Sequence, residues 1–292
     1  MTSIKGRPRR SVLYMPGANT RALEKARSLP VDGLILDLED AVAPDAKAQA
    51  RENVMKAVAE GGYGKREIFV RMNGLETPWG IADAQAIAKS KADVILVPKV
   101  ESAAQIKQVE SILDQSGAHE GMTIWCMMET PLGILHAEHI ANASKRLAGF
   151  VMGTNDLVKD LRAAHTAVRL PIMTSLGLCM LAARAFGLSI LDGVYSNLED
   201  EAGFAAICEQ GKEFGFDGKT LVHPKQVEKC NQVFAPSEAE VVQARKIIAA
   251  FEEATAQGKG VAVVDGKMVE NLHVVAAKRQ VELAEAIAEM GN

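Results

Sequence analysis

Between Ser11 and about Gln226, short apolar runs alternate with longer amphipathic stretches. The runs occupy residues 11–17 (SVLYMPG), 33–40 (GLILDLED), 67–73 (EIFVRMN), 94–101 (VILVPKVE), 123–130 (TIWCMMET), 149–156 (GFVMGTND), 188–195 (LSILDGVY) and 218–225 (GKTLVHPK). Each is apolar at successive positions and closes on polar, Gly or Pro residues, the pattern of a parallel strand buried on both faces. The stretches between them, such as NTRALEKARSL, PDAKAQARENVMKAVAE and SAAQIKQVESILDQ, follow helical spacing, with Pro44-Asp45 and Ser102 as helix starts. Eight strands, each followed by a helix, predict an α/β fold of the (β/α)₈ TIM-barrel type. A doubly wound sheet usually has fewer strands and a Gly-rich phosphate turn after the first, and neither GxGxxG nor GxxxxGK[ST] occurs.

Two departures from the repeat stand out. The 31 residues between the sixth and seventh runs are too many for one helix with short loops. Pro171 is the expected helix start, which leaves 158–170 as an extended loop on the face where barrel enzymes place their chemistry. After Gln226 the pattern changes to a long helix opened by Pro236 and Ser237 and closed near Gly258, a short strand-turn pair, and a further helix. The expected organisation is therefore a catalytic barrel over 1–226 and a C-terminal helical extension over 227–292, acting as a lid packed on a neighbouring subunit.

Composition narrows the functional classes. No run of ~18 uninterrupted apolar residues is present, so no membrane-spanning helix is expected. A net charge of −4 leaves no global basic surface for nucleic acid, and an anionic ligand would need a local positive cluster. The four cysteines form no CxxC, and the basic MTSIKGRPRR start lacks the apolar stretch of a secretory signal. A reduced cytoplasmic protein is expected.

Charged residues recur at the strand ends. Asp37 and Glu39 share parity in the second run, Arg71 follows Phe69, Lys99 follows Val97, Glu129 follows Met127, Asp156 follows Thr154, Asp192 follows Ile190, and His223 ends the eighth. In a barrel these positions lie at the mouth. Glu129 and Asp156 suit a hard cation such as Mg²⁺, which takes one or two carboxylates and keeps sites for substrate oxygens. Capping of the following helices or pairing with Arg71 is the alternative. Arg71 either pairs structurally with Asp37 or Glu39, or holds a carboxylate or an enolate. The His136/His139 pair has no evident third ligand and reads as exposed helix histidines. Lys99 among acids reads as an ion-paired ammonium rather than a Schiff-base lysine. Cys126 reads as packing, and the absence of GxSxG disfavours a serine-hydrolase elbow.

RSVLYMPG, GLILDLEDAVAPDAKAQAR, VRMNG, ILVPKVE, METPLGI, GTNDL, LVHPKQV and DGKMVE occur in this order over nearly the whole chain. In that order they resemble the citrate lyase β-subunit-like family of the HpcH/HpaI aldolase group, which includes malyl-CoA, citramalyl-CoA and citryl-CoA lyases. DLEDAVAP with HPKQV is the specific combination; METP or GTND alone is weak. The resemblance implies a (β/α)₈ barrel, Mg²⁺ (with Mn²⁺ as an alternative), CoA as part of the substrate, and a homo-oligomer, trimer or hexamer. Glu129 and Asp156 resemble the family's metal ligands, and Arg71 its substrate-binding arginine. Asp37 and Glu39 resemble acids supporting that arginine and the metal waters. Tyr14, Asn19 and Lys25 fall at positions resembling part of the CoA pocket, with Asn19 where malyl-CoA lyases can carry arginine. His223 resembles a substrate-adjacent residue.

The tail departs from the family. Where the lid would supply an aspartate as acid or base to a neighbouring subunit, this chain has Glu270, one methylene longer, with Asp265 as a weaker substitute. About 1 Å of misplacement costs ~100-fold in rate. The expected function is a Mg²⁺-dependent carbon–carbon lyase that splits a 3-hydroxy-3-carboxyacyl-CoA into acetyl-CoA and a 2-keto acid. The alternatives are a malyl-CoA-type thioesterase, motivated by Glu270, and a citrate lyase β subunit acting on a carrier-bound acyl group.

Overall fold

The computed structural model describes residues 7–291. All eight expected strands form: β1 (Ser11–Pro16), β2 (Gly33–Asp37), β3 (Glu67–Arg71), β4 (Val94–Val97), β5 (Thr123–Met128), β6 (Leu147–Met152), β7 (Ser189–Asp192) and β8 (Gly218–Leu221). They pair in parallel in sequence order, and Ser11 beside Lys219 joins β1 to β8 to close the barrel. The connecting helices are α1 (Thr20–Lys25), α2 (Lys47–Glu60), α3 (Gly80–Ala88), α4 (Ala103–Ser116), α5 (Pro131–Leu135), α6 (Ala137–Ala141), α7 (Thr154–Asp160), α8 (Met173–Ala185) and α9 (Glu201–Phe214). The fold is thus a (β/α)₈ barrel of the TIM type.

Local chemistry explains where several helices begin. The Ser102 side chain accepts from Gln105 N, and Gln105 Oε1 accepts from Ser102 N, a capping box that opens α4. Thr130 Oγ1 accepts from Gly133 N, and Pro131 takes the first position of α5, where no N–H is needed. Pro171 lies in a 3₁₀ turn (Leu170–Ile172) that runs straight into α8, as expected. The sixth run differs from its reading as strand throughout: β6 stops at Met152 and α7 starts at Thr154, so Asp156 stands in the first turn of a helix.

The barrel interior is filled by Val12, Ile35, Phe69, Val94, Leu96, Trp125, Met127, Ala148, Val151 and Leu191, with Tyr14 packed on top. Phe69 meets Trp125 edge to face at 5.1 Å. This is a packed core rather than a pore, and it supports the residues at the strand ends.

The described residues divide into two compact units, Arg9–Asn231 and the remainder. The division falls within α10 (Val227–Phe234) rather than at Gln226. Early α10 still belongs to the barrel unit: Cys230 Sγ donates to Arg10 O at 3.1 Å and Asn231 Nδ2 to Pro30 O at 2.7 Å. The second unit contains α11 (Glu238–Ala256), the antiparallel pair β9 (Ala262–Val264) and β10 (Lys267–Val269), and α12 (Asn271–Met290). Its own core joins Ala254, Ala262, Val264, Val269 and Val274. No helix among the described residues is long and apolar enough to cross a membrane.

Candidate active site at the barrel mouth

Asp37 ends β2, Arg71 ends β3, and the two are register partners. Arg71 Nε and Nη2 donate to Asp37 Oδ1 and Oδ2, each at 2.7 Å, in a planar fork. The backbone N–H groups of Glu39 (2.9 Å) and Ala41 (3.1 Å) donate to the same two oxygens. With four donors and no exposed surface, Asp37 is a strut that fixes Arg71 and the turn after β2. Tyr14 lies under the guanidinium, 5.0 Å from ring centre to Cζ. Burial opposes the arginine's charge, but Asp37 overrides it and holds the guanidinium protonated. Burial likewise keeps the Tyr14 phenol protonated.

Glu39 is held differently. Its Oε1 accepts from Lys99 Nζ at 2.9 Å. Its Oε2 is 2.7 Å from Arg71 Nη1 but out of hydrogen-bond alignment, leaving a buried acceptor without a hydrogen-bond partner. Burial pushes the Glu39 carboxyl above its ordinary range, against the pull of Arg71 and Lys99. Lys47 Nζ donates to the carbonyls of Leu38 (3.1 Å) and Glu39 (2.9 Å), which ties the DLED turn to the start of α2.

Glu129 follows β5 and is 1 % exposed. Its Oε1 accepts from Lys99 N at 2.8 Å. Strand parity alone does not deliver Lys99 here, because Val94 and Leu96 are the interior positions of β4. A left-handed backbone at Lys99 (φ 48°) turns the N–H to Glu129 and the side chain to Glu39. A methyl group at Gly153 would stand 2.2 Å from Glu129 Oε2, so the absence of a side chain there admits the carboxylate. Burial, then the charge of Glu39, push the Glu129 carboxyl up to about 8, with Asp156 adding in the same direction. Asp156 is partly exposed and accepts from Lys159 Nζ at 2.9 Å.

The structure therefore brings together Tyr14, Asp37, Glu39, Arg71, Lys99 and Glu129, with Asp156 close enough to act on Glu129. Glu129 is a carboxylate driven toward protonation first by burial and then by the charge of Glu39, and Glu39 Oε2, although 2.7 Å from Arg71 Nη1, accepts no hydrogen bond. The donors are all carboxylate oxygens, and among the described residues no group of three or more His, Cys, Asp and Glu gathers into a closed metal cage. Carboxylate oxygens are the donors a hard divalent ion takes, and with so few of them water and substrate would have to supply the rest of its sphere.

Other expected residues do not bond to this cluster. Asn19 caps α1 through Ala22 N (3.1 Å) and Lys25 ends that helix; both are exposed. His223 is exposed beyond β8, and its Nδ1 accepts from Lys225 N at 3.1 Å. Asp192 does not join the mouth cluster: it is bound to Arg169 Nη1 (2.6 Å) and Lys219 Nζ (2.9 Å). His136 is occupied by Glu101 O at 2.8 Å. In the C-terminal unit, Glu270 immediately precedes α12, with its N–H donating to His273 Nδ1 at 3.0 Å. Asp265 is paired with Lys246 and accepts from Gln243 Nε2 at 3.0 Å, and those contacts hold its carboxyl below the ordinary range. Lys47, Arg169 and Lys219 escaped the sequence reading. Each looks like a solvated charge in its own segment, and its partners lie eight or more residues away.

The sequence model of the family described as HpcH/HpaI aldolase/citrate lyase matches residues 10–224. A (3S)-malyl-CoA thioesterase of Cereibacter sphaeroides is 54% identical over 284 residues, covering 97% of each chain. The citrate lyase subunit beta of Escherichia coli is 37% identical over 271 residues, covering 91% of this chain and 90% of that one. Among solved structures, the protein CitE from Mycobacterium tuberculosis in complex with magnesium, acetoacetate and coenzyme A superposes with a TM-score of 0.77 at 26% identity, covering 96% of this chain and 98% of that one.

Proposed function

The chain belongs to the HpcH/HpaI aldolase/citrate lyase family, and from that premise we propose that it is a Mg²⁺-dependent thioesterase acting on a malyl-CoA-type 3-hydroxy-3-carboxyacyl-CoA. The observation that carries this reading is the 54% identity, over almost the full length of both chains, to a (3S)-malyl-CoA thioesterase. It favours hydrolysis, the alternative raised by Glu270, over the carbon–carbon cleavage that the motifs alone suggested. The reaction releases free CoA and the intact hydroxydiacid, with water consumed.

Glu129 and Asp156 would hold Mg²⁺, which supplies charge neutralisation for the substrate's carboxylate and hydroxyl oxygens. Asp37 and Tyr14 fix the plane of Arg71. Arg71 Nη1 donates to Asp40 Oδ2 at 3.3 Å and lies 2.7 Å from Glu39 Oε2, so the second N–H of Nη2, outside the Asp37 fork, receives the thioester oxygen as it gains negative charge. Lys99 draws Glu39 to one side of that opening. Tyr14, Asn19 and Lys25 line the approach of the CoA moiety, and His223 stands beside the substrate. Glu270, from a neighbouring subunit of a homotrimer or hexamer, takes a proton from the attacking water. The new C–O bond forms, the C–S bond breaks, and the proton returns to the departing thiolate. The setting is cytoplasmic.

The test is product analysis. Purified protein with Mg²⁺ and (3S)-malyl-CoA is expected to release thiol and malate in equal amounts. Acetyl-CoA with glyoxylate as the products would instead establish the lyase reading, and turnover unaffected by EDTA would remove the metal from the account.

A further inference from the structure

We propose that a cavity beside α7, lined by Asn155 and Val158 but not by Asp156, is a second binding site, built for a small carboxylate with a short apolar chain. The cavity holds about 400 Å³ and lies between the 158–171 segment and the loop after β7. That size falls within the range of about 300–1,000 Å³ common for small-ligand sites. Val158, Ile172, Val194 and Ile207 give it apolar walls, and Asn155 and Arg169 give it polar ones. Neither Glu129, Asp156 nor Arg71 lines it.

Arg169 is the reason to expect a ligand. It is 9% exposed and sits at φ 56°, a left-handed conformation unfavourable to a side chain of this size. Two of its three nitrogens are fixed: Nε donates to Gln210 Oε1 at 2.6 Å and Nη1 to Asp192 Oδ1 at 2.6 Å. Gln210 is itself tied to the same segment through Val168 O at 3.0 Å. Nη2 is buried with no hydrogen-bond partner.

The charge count points the same way. Asp192 is shared between Arg169 and Lys219, and both Asp192 and Lys219 have no exposed surface. Two buried cations thus divide one carboxylate. A buried guanidinium edge without an acceptor is costly; a ligand carboxylate against Arg169 would balance the surplus charge, and a turn of the guanidinium toward the cavity would bring the vacant N–H to it. The apolar walls select a partner with a hydrocarbon body over a bare inorganic anion. The site is independent of the reaction proposed above.

Sodium butyrate is the probe, titrated calorimetrically into the full-length protein with Mg²⁺ and again with EDTA. Saturable binding is expected in both conditions. Arg169→Gln should weaken it by ~10–100-fold, the value of a charge-assisted hydrogen bond. Ala167→Phe, which fills the cavity wall and leaves Arg169 intact, should weaken it similarly and provides a second arm if Arg169→Gln misfolds. Glu129→Gln should leave it unchanged. Absence of saturable binding to the wild-type protein, unchanged binding in Ala167→Phe, or loss of binding in Glu129→Gln would each overturn the proposal. Sulfate binding as tightly as butyrate would overturn the assigned ligand class.

Discussion

At the end of the barrel where the strands begin, two buried arginines meet two buried carboxylates, each pair matched. Arg10 forks onto Asp32 (2.8 and 2.7 Å) with its own backbone N–H added, and Arg9 forks onto Glu67. At the end where the strands finish, Arg71 and Lys99 face Asp37, Glu39, Asp40 and Glu129, and one oxygen of Glu39 has no hydrogen-bond partner. The residue types are the same. One end is satisfied and balanced, the other is negative and incomplete. Balanced buried pairs hold a fold together, whereas an incomplete set is where a cation and a substrate complete the arrangement.

This contrast can be broken by substitution at either end. Asp32→Ala should cost about 3–5 kcal/mol of stability, since it strands a buried Arg10, while the protein that remains folded keeps its metal affinity. Chemical denaturation together with metal titration checks both halves. Arg71→Lys should reverse the pattern: kcat/KM falls ~100–1000-fold as the fork and its oriented donors disappear, with a smaller loss of stability than in Asp32→Ala. Steady-state kinetics beside melting curves decide it. Equal losses of stability at the two ends would erase the distinction.

Gly153→Ala sharpens the comparison without removing any charge. Its methyl group would press on Glu129 Oε2, and Mg²⁺ affinity should fall ~10–100-fold, as for other displacements of ligand support. A pH slope completes the comparison. Glu129 is raised from 4.5 to about 8 in the folded metal-free protein. Above the lower value the unfolded chain releases a proton that the folded chain keeps, so stability is greatest below about 4.5 and is lost as pH rises towards about 8. Glu129→Gln should remove this component, as should saturating Mg²⁺. Denaturation series across that range, compared between the two proteins, provide the check.

The barrel was legible because each strand is buried on both faces and must be continuously apolar, and because Gly, Pro and capping residues mark its ends. Ser102 and Ser237 start their helices through capping contacts with residues three positions on, which a sequence displays directly. The mouth was legible as a set of acids and one arginine at strand ends. Its connections were not. Lys99 reaches Glu129 and Glu39 through a backbone turn of the wrong hand for its strand, and nothing in VPKVE announces that turn. Asp192 has the position of a mouth residue but is drawn away by Lys219 and Arg169, partners 27 and 23 residues distant. Lys219 reads as a surface charge within GKTL and is fully buried. Pairings of this kind are decided by tertiary packing, and local spacing carries no trace of them.

The claim that the mouth is a cation site, and the opposite end only a structural one, is tested most directly by calorimetric titration of Mg²⁺ into the wild-type, Glu129→Gln and Glu67→Gln proteins. One Mg²⁺ per chain is expected for the wild type and for folded Glu67→Gln, and none for Glu129→Gln. Undiminished Mg²⁺ binding in Glu129→Gln would contradict the account.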